Sequence, residues 1–97
     1  MAELGTLARV RSKNAGPFWL TIDLFCEPGA YPAVAAIPTD AFAARLGAAA
    51  GAIRRFDLPD LEVVKLSLPR PVPQGAFEDR DMHGAAWGAA LAEMPVP

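Results

Sequence analysis

Apolar and other residues alternate most regularly over residues 18–26 of the chain. Successive side chains of a β-strand point to opposite faces, so this pattern predicts a strand with one apolar face and one mixed face. The apolar face comprises Phe18, Leu20, Ile22, Leu24 and Cys26. The mixed face comprises Trp19, Thr21, Asp23 and Phe25. Residues 61–68 alternate in the same way, with Val64, Leu66 and Leu68 on one face, which predicts a second central strand.

Helical spacing predicts the elements around these strands. Residues 4–11 carry apolar side chains three and four positions apart and are followed by Asn14 and Gly16, which predicts a short N-terminal helix. A helical pair interrupted by Pro38 is predicted over residues 31–47. Further short elements are a strand over 53–56, a helical turn over 82–87 and a last strand over 89–96.

The order of these elements predicts the fold class. After the first helix, the order matches the βαββαβ arrangement of a ferredoxin-like sandwich, so we expect an α+β fold with an extra N-terminal helix. In that arrangement the strands over 18–26 and 61–68 are antiparallel neighbours at the centre, and the last strand lies at an edge. The alternative is an irregular α+β domain in which the last helix does not form.

Composition restricts the function classes. The chain has 97 residues, of which 53% are hydrophobic and 21% charged, so residues 1–97 are predicted to form one domain. A domain of this size has a small core, which favours association of the chain with itself or with another protein, as a homo- or hetero-oligomer. The net charge is −2 without a long run of one sign, which argues against nucleic acid as a ligand.

The N-terminus lacks the basic and apolar regions of a signal peptide, and no apolar run is long enough to span a membrane. A cytoplasmic location without membrane association is therefore expected. Cys26 is the only cysteine and falls in an apolar pattern, so it is interpreted as a small core residue in preference to a nucleophile. Neither a metal nor a cofactor is predicted.

Two polar clusters are predicted to meet at one end of the sheet. If the two central strands are antiparallel, the start of the first and the end of the second lie together, which brings Arg11, Lys13 and Asn14 close to Arg70. Cations with an orienting amide suit an anionic group, so a carboxylate or phosphate ligand is predicted. The alternative is that these charges pair locally or stay in solvent.

Two further features are candidates for function. Asp81 and His83 are candidates for proton transfer. The alternative is that His83 only makes a local hydrogen bond within a loop. Trp19, Phe25 and Val63 are predicted on the sheet face opposite the helices, where they would form a partner surface. The alternative is that the N-terminal helix covers this face.

Several segments together resemble a small bacterial domain family of unknown function. These segments are residues 11–18 (RSKNAGPF), Thr21 with Asp23, Arg70-Pro71 with Gly75, and Asp81 with Gly84-Ala85. The family is associated with AtuA-like proteins of acyclic terpene utilisation, beside which it occurs as a separate small protein or as a fused domain. The resemblance implies a ferredoxin-like accessory domain and a larger AtuA-like partner.

Three hypotheses of function follow. The first is an accessory small subunit of an AtuA-like catabolic protein acting on an organic acid or acyl thioester, to which the chain contributes an anion-binding polar turn. The second is a self-sufficient small lyase or isomerase that uses Asp81 and His83. The third is a non-catalytic oligomeric structural domain.

Overall fold

A computed structural model describes residues 2–16, 18–69 and 86–96. Six strands and four helices are found in this part of the chain. The strands are β1 (Ala2–Glu3), β2 (Ala8–Asn14), β3 (Trp19–Cys26), β4 (Arg54–Leu58), β5 (Val63–Pro69) and β6 (Pro95–Val96). The helices are α1 (Leu4–Leu7), α2 (Tyr31–Ala35), α3 (Thr39–Leu46) and α4 (Ala86–Ala92). Arg70, Asp81 and His83 lie outside the described residues.

A four-stranded antiparallel sheet organises the molecule, with the order β2-β3-β5-β4. The prediction that the two central strands are antiparallel neighbours is confirmed, since Ile22 of β3 lies opposite Leu66 of β5. The predicted inner faces are also confirmed, except that Phe18 is exposed and Cys26 is half-buried. A separate two-stranded sheet joins β1 to β6.

The predicted N-terminal helix is wrong beyond its first turn, since α1 ends at Leu7 and residues 8–14 form β2. Asn14 and Gly16 do not end a helix. They belong to the hairpin turn between β2 and β3, where the N–H of Ala15 donates to the carbonyl of Trp19 at 2.9 Å and Gly16 has a φ of 90°. Residues 8–14 alternate inward and outward, and pairing along β3 outweighs the helical spacing of a few leucines and alanines.

The last strand predicted over residues 89–96 is also wrong for most of its length. Residues up to Ala92 belong to α4, and only Pro95–Val96 is extended, where it pairs with β1. The alanines and leucine of this segment are strong helix formers. β2 pairs with the edge of β3 at which the last strand was expected. The α+β class is therefore observed, while the specific ferredoxin-like order is not confirmed.

The core lies on one side of the large sheet. The predicted helical pair over 31–47 is present as α2 and α3, and Gly47 ends α3 with a φ of 68°. Side chains from the helices and from the inner face of the sheet form one buried cluster. Its fully buried members include Leu4, Leu20, Ile22, Leu24, Val34, Phe42, Val64, Leu66, Leu68 and Leu91.

Candidate functional site: the open sheet face

The odd-numbered residues of the two central strands point away from the core, together with their partners on the outer strands. We call this surface the open sheet face. It consists of Arg9, Arg11 and Lys13 on β2, Trp19, Thr21, Asp23 and Phe25 on β3, Val63, Lys65 and Ser67 on β5, and Arg54, Phe56 and Leu58 on β4. Directly paired residues share a face, so the register aligns these side chains in rows across the sheet.

Large apolar side chains occupy much of this face. Trp19, Phe25 and Val63, the predicted partner surface, are each half-buried, while Phe56 and Leu58 are 50% and 37% exposed. The N-terminal helix does not cover them, since Leu4 of α1 is fully buried in the core on the other side of the sheet. Within the described residues, no helix packs on the open sheet face.

Charges surround the apolar side chains. The face carries five cations and one carboxylate, for a net charge of +4, and the carboxylate of Asp23 lies 3.9 Å from the ammonium of Lys65. Asp23 and Lys65 lie directly opposite each other on the two central strands. Because the whole chain carries −2 and the face carries +4, the remaining residues together carry −6. The protein is thus acidic overall with one basic face.

Two of the cations lie against aromatic rings of the same face. The guanidinium carbon of Arg9 is 5.0 Å from the centre of the Phe25 ring, and that of Arg54 is 5.3 Å from the Trp19 ring. Such contacts contribute about 0.5–1 kcal/mol at exposed sites. They hold the long cationic side chains near the sheet. These side chains would therefore lose less conformational entropy if another molecule bound to the face.

The predicted anion-binding residues are only partly brought together. Arg11 and Lys13 line a shallow cavity of about 160 Å³ with Asp23 and Phe25. Alternation along β2 places Asn14 on the opposite face of the sheet. The C-terminal ends of β2 and β5 lie at the same end of the sheet, since Asn14 lies opposite Leu20 and Pro69 opposite Trp19. Arg70, the fourth predicted ligand, follows Pro69 outside the described residues.

Sequence reasoning missed Arg9, Arg54 and Lys65 as members of a cationic group. The signal was present in the alternation of residues 8–14, where arginine and lysine occupy every second position. Had this segment been interpreted as a strand, its three cations would have been placed in one row beside the aromatic face of β3.

Cys26 lies half-buried at the end of β3, and its thiol is 3.8 Å from the carbonyl oxygen of Leu24. Burial raises the pKa of this thiol, and the negative charge of Glu62 raises it further. The thiol therefore stays protonated at neutral pH, which agrees with a packing role and disfavours nucleophilic attack.

A second hollow, of about 480 Å³, lies between the α2–α3 region and the C-terminal strand. Its lining is apolar and includes Ile37, Pro38, Met94 and Val96. Among the residues that the structure describes, its lining contains no charged side chain.

The described residues offer neither a metal-binding cluster nor a membrane-spanning helix. Residues 2–16, 18–69 and 86–96 contain no cluster of three or more histidine, cysteine or acidic side chains that could hold a metal ion. In the same ranges no helix has both the length and the apolar character needed to cross a bilayer.

Comparisons with known proteins place the chain in a family. Neither the curated proteins nor the solved structures include one that matches it significantly. A family model described as a domain of unknown function, DUF4387, matches residues 4–95. That range includes all four strands of the large sheet and the four described helices. The chain, with its two-layer fold and its open basic sheet face, therefore belongs to the DUF4387 family.

Proposed function

We propose that the chain is an accessory subunit that docks through its open sheet face on a larger AtuA-like protein, which acts on an organic acid or acyl thioester. The observation that carries this proposal is the placement of Trp19, Phe25 and Val63 on a sheet face that no described helix covers, with Phe25 paired to Val63 at one end and Trp19 at the other. One face of an antiparallel sheet often meets water, but such a face is ordinarily polar. A face with this apolar content is typical of a surface that meets another protein.

The apolar surface continues past the central strands. Phe56 and Leu58 extend it onto β4, and Leu61, which is 70% exposed, lies in the turn between β4 and β5. Burying such side chains stabilises a complex by about 25 cal/mol per Å² of apolar area, before the costs of association are subtracted. The resemblance of residues 11–18 and further segments to the AtuA-associated family supports an AtuA-like protein as the partner.

The cationic residues support a contribution to the ligand site of the complex. Arg11 and Lys13 project from the face that would meet the partner, and their guanidinium and ammonium groups suit a carboxylate or a phosphate. We propose that they face the acid group of the ligand at the joint between the two proteins.

The docking proposal is tested by coexpressing the chain with an AtuA-like protein and measuring stoichiometry by native mass spectrometry. We expect a stable complex that Phe25→Asp weakens by about thirtyfold, because a charge would replace an apolar side chain in the apolar part of the interface. Ala44→Asp, on the exposed surface of α3, is the control and should leave the affinity unchanged.

Two results would contradict the docking proposal. The first is a wild-type chain that does not bind the AtuA-like protein. The second is an isolated chain that turns over a carboxylate or acyl thioester and loses this activity on His83→Ala, which would favour the self-sufficient lyase or isomerase. A third measurement distinguishes the docking proposal from the hypothesis of a structural domain without a ligand. Anions that bind at Arg11 must raise the melting temperature, and Arg11→Ala must remove that rise.

A further inference from the structure

The distribution of charge on the open sheet face restricts which surface can cover it. Resting on the proposed docking function, we infer that the partner presents an acidic surface with an apolar patch, and that this face does not pair with a second copy of the chain.

The cations lie mainly at the margins of the face. Arg9, Arg11 and Lys13 follow the outer strand β2, and Arg54 lies on the opposite outer strand β4. On the central strands, Phe25 lies opposite Val63 at one end of the face, and the polar pairs Asp23–Lys65 and Thr21–Ser67 occupy its middle. Leu58 of β4 lies opposite Val63, so the face has an apolar patch at one end and cations of one sign along its margins.

A second copy fits this surface poorly. Two such faces placed together would bring a net charge of +4 against +4 while removing water from both. Like charges facing each other across an interface cost several kcal/mol, whereas an acidic surface would gain by pairing with the same cations. The other residues together carry −6, so the attraction of an acidic partner comes from the cations of this face.

A single-stranded nucleic acid is the other occupant with negative charge, and it requires accessible aromatic faces on which bases can stack. The guanidinium groups of Arg9 and Arg54 lie over the rings of Phe25 and Trp19, the two aromatic side chains of the central strand. One face of each of these two rings is therefore covered by a guanidinium group. An acidic protein surface, which needs the cations but not the ring faces, agrees better with this arrangement.

The test measures the dissociation constant of the complex with the AtuA-like protein at 50 mM and 500 mM salt. The variant is Arg11→Ala with Lys13→Ala, and the control is Ala44→Glu with Ala89→Glu, which changes the net charge by the same −2 at exposed helix positions outside the face. We expect the variant to bind at least about tenfold more weakly at 50 mM salt, with the difference shrinking at 500 mM. The control should bind like the wild type.

Each outcome is informative. A complex whose affinity depends neither on salt nor on Arg11 and Lys13 overturns this inference and leaves the docking proposal standing, whereas the absence of a complex overturns both. Sedimentation velocity of the isolated chain should show no dimer formed through this face. A dimer that dissociates on Phe25→Asp would contradict the inference. Tight binding of a 20-nucleotide single-stranded RNA that is lost on Trp19→Ala would contradict it as well.

Discussion

Arg54 and Arg55 show how far neighbouring residues of the same type diverge once the strand assigns them to opposite faces. Arg54 is exposed on the open sheet face, whereas the Arg55 side chain is only 15% exposed on the inner face. Its guanidinium donates to the carbonyls of Ala35 and Ile37 and to the hydroxyl of Thr39, and its Nε lies 2.8 Å from an oxygen of Asp57. Arg55 thus satisfies carbonyls at the junction of α2 and α3, where a proline interrupts the helical bonding.

The two arginines should differ in their contribution to stability. Replacing Arg55 by methionine keeps most of the apolar stem but leaves two carbonyls without their donor, so we expect a loss of about 2–3 kcal/mol in the free energy of unfolding. Arg54→Met removes one exposed ring contact and should cost less than about 1 kcal/mol. Urea unfolding of both variants measures the difference, and equal losses would show that the Arg55 bonds do not contribute as described.

At the scale of elements, α4 packs on β2 through an unusually close contact. The backbone N–H of Gly88 donates to the hydroxyl of Ser12 at 3.0 Å. A Cβ at residue 88 would lie 2.7 Å from that hydroxyl oxygen and 3.3 Å from the backbone nitrogen of Ser12. The hydroxyl could rotate away, but the strand backbone cannot, so glycine is the residue that permits this approach.

Gly88→Ala should therefore destabilise the protein, although the same change in an uncrowded helix stabilises by about 1 kcal/mol. We expect a loss of about 1–3 kcal/mol from overpacking, seen as a lower melting temperature by circular dichroism. Gly51→Ala is the control, because nothing lies within 4 Å of its added Cβ, and it should change stability by less than about 0.5 kcal/mol. A stabilised Gly88→Ala protein would refute this packing of α4 on β2.

At the scale of the whole molecule, the position of β2 decides the character of the open sheet face. β2 pairs with β3 through a short hairpin and contributes three cations to the margin of the face. A last strand at the same edge, as the sequence suggested, would instead have placed alanines and prolines there. The acidic partner inferred above depends on this exchange of one strand for another.

The sheet order can be tested by cross-linking in a Cys26→Ser background. Lys13 lies directly opposite Thr21 on the adjacent strand, so Lys13→Cys with Thr21→Cys should form a disulfide, since paired residues have Cα atoms about 4.5–5.5 Å apart. Ser67 lies one strand further across, about 9–10 Å from Lys13, so Lys13→Cys with Ser67→Cys should stay reduced. Mass spectrometry detects the two-hydrogen loss, and a cross-link in the second pair alone would contradict the order.

The central strands and the α2–α3 pair follow from the sequence alone. Leu20, Ile22 and Leu24 repeat with a period of two, as do Val64, Leu66 and Leu68, and each set is fully buried. The partner surface at Trp19, Phe25 and Val63 was placed on the outer face by the same alternation. These features are local, because a strong period or a helix-ending glycine acts within a few residues of chain.

Only the tertiary structure decided which segment completes the sheet and which charges gather on it. Residues 8–14 carry both a weak helical spacing and a weak alternation, and pairing with β3 selects the strand. Residues 86–92 form a helix because β2 occupies the edge of β3 and their alanines favour helix. The cations of β2, β4 and β5 are far apart along the chain, and they share one face because strand pairing aligns them.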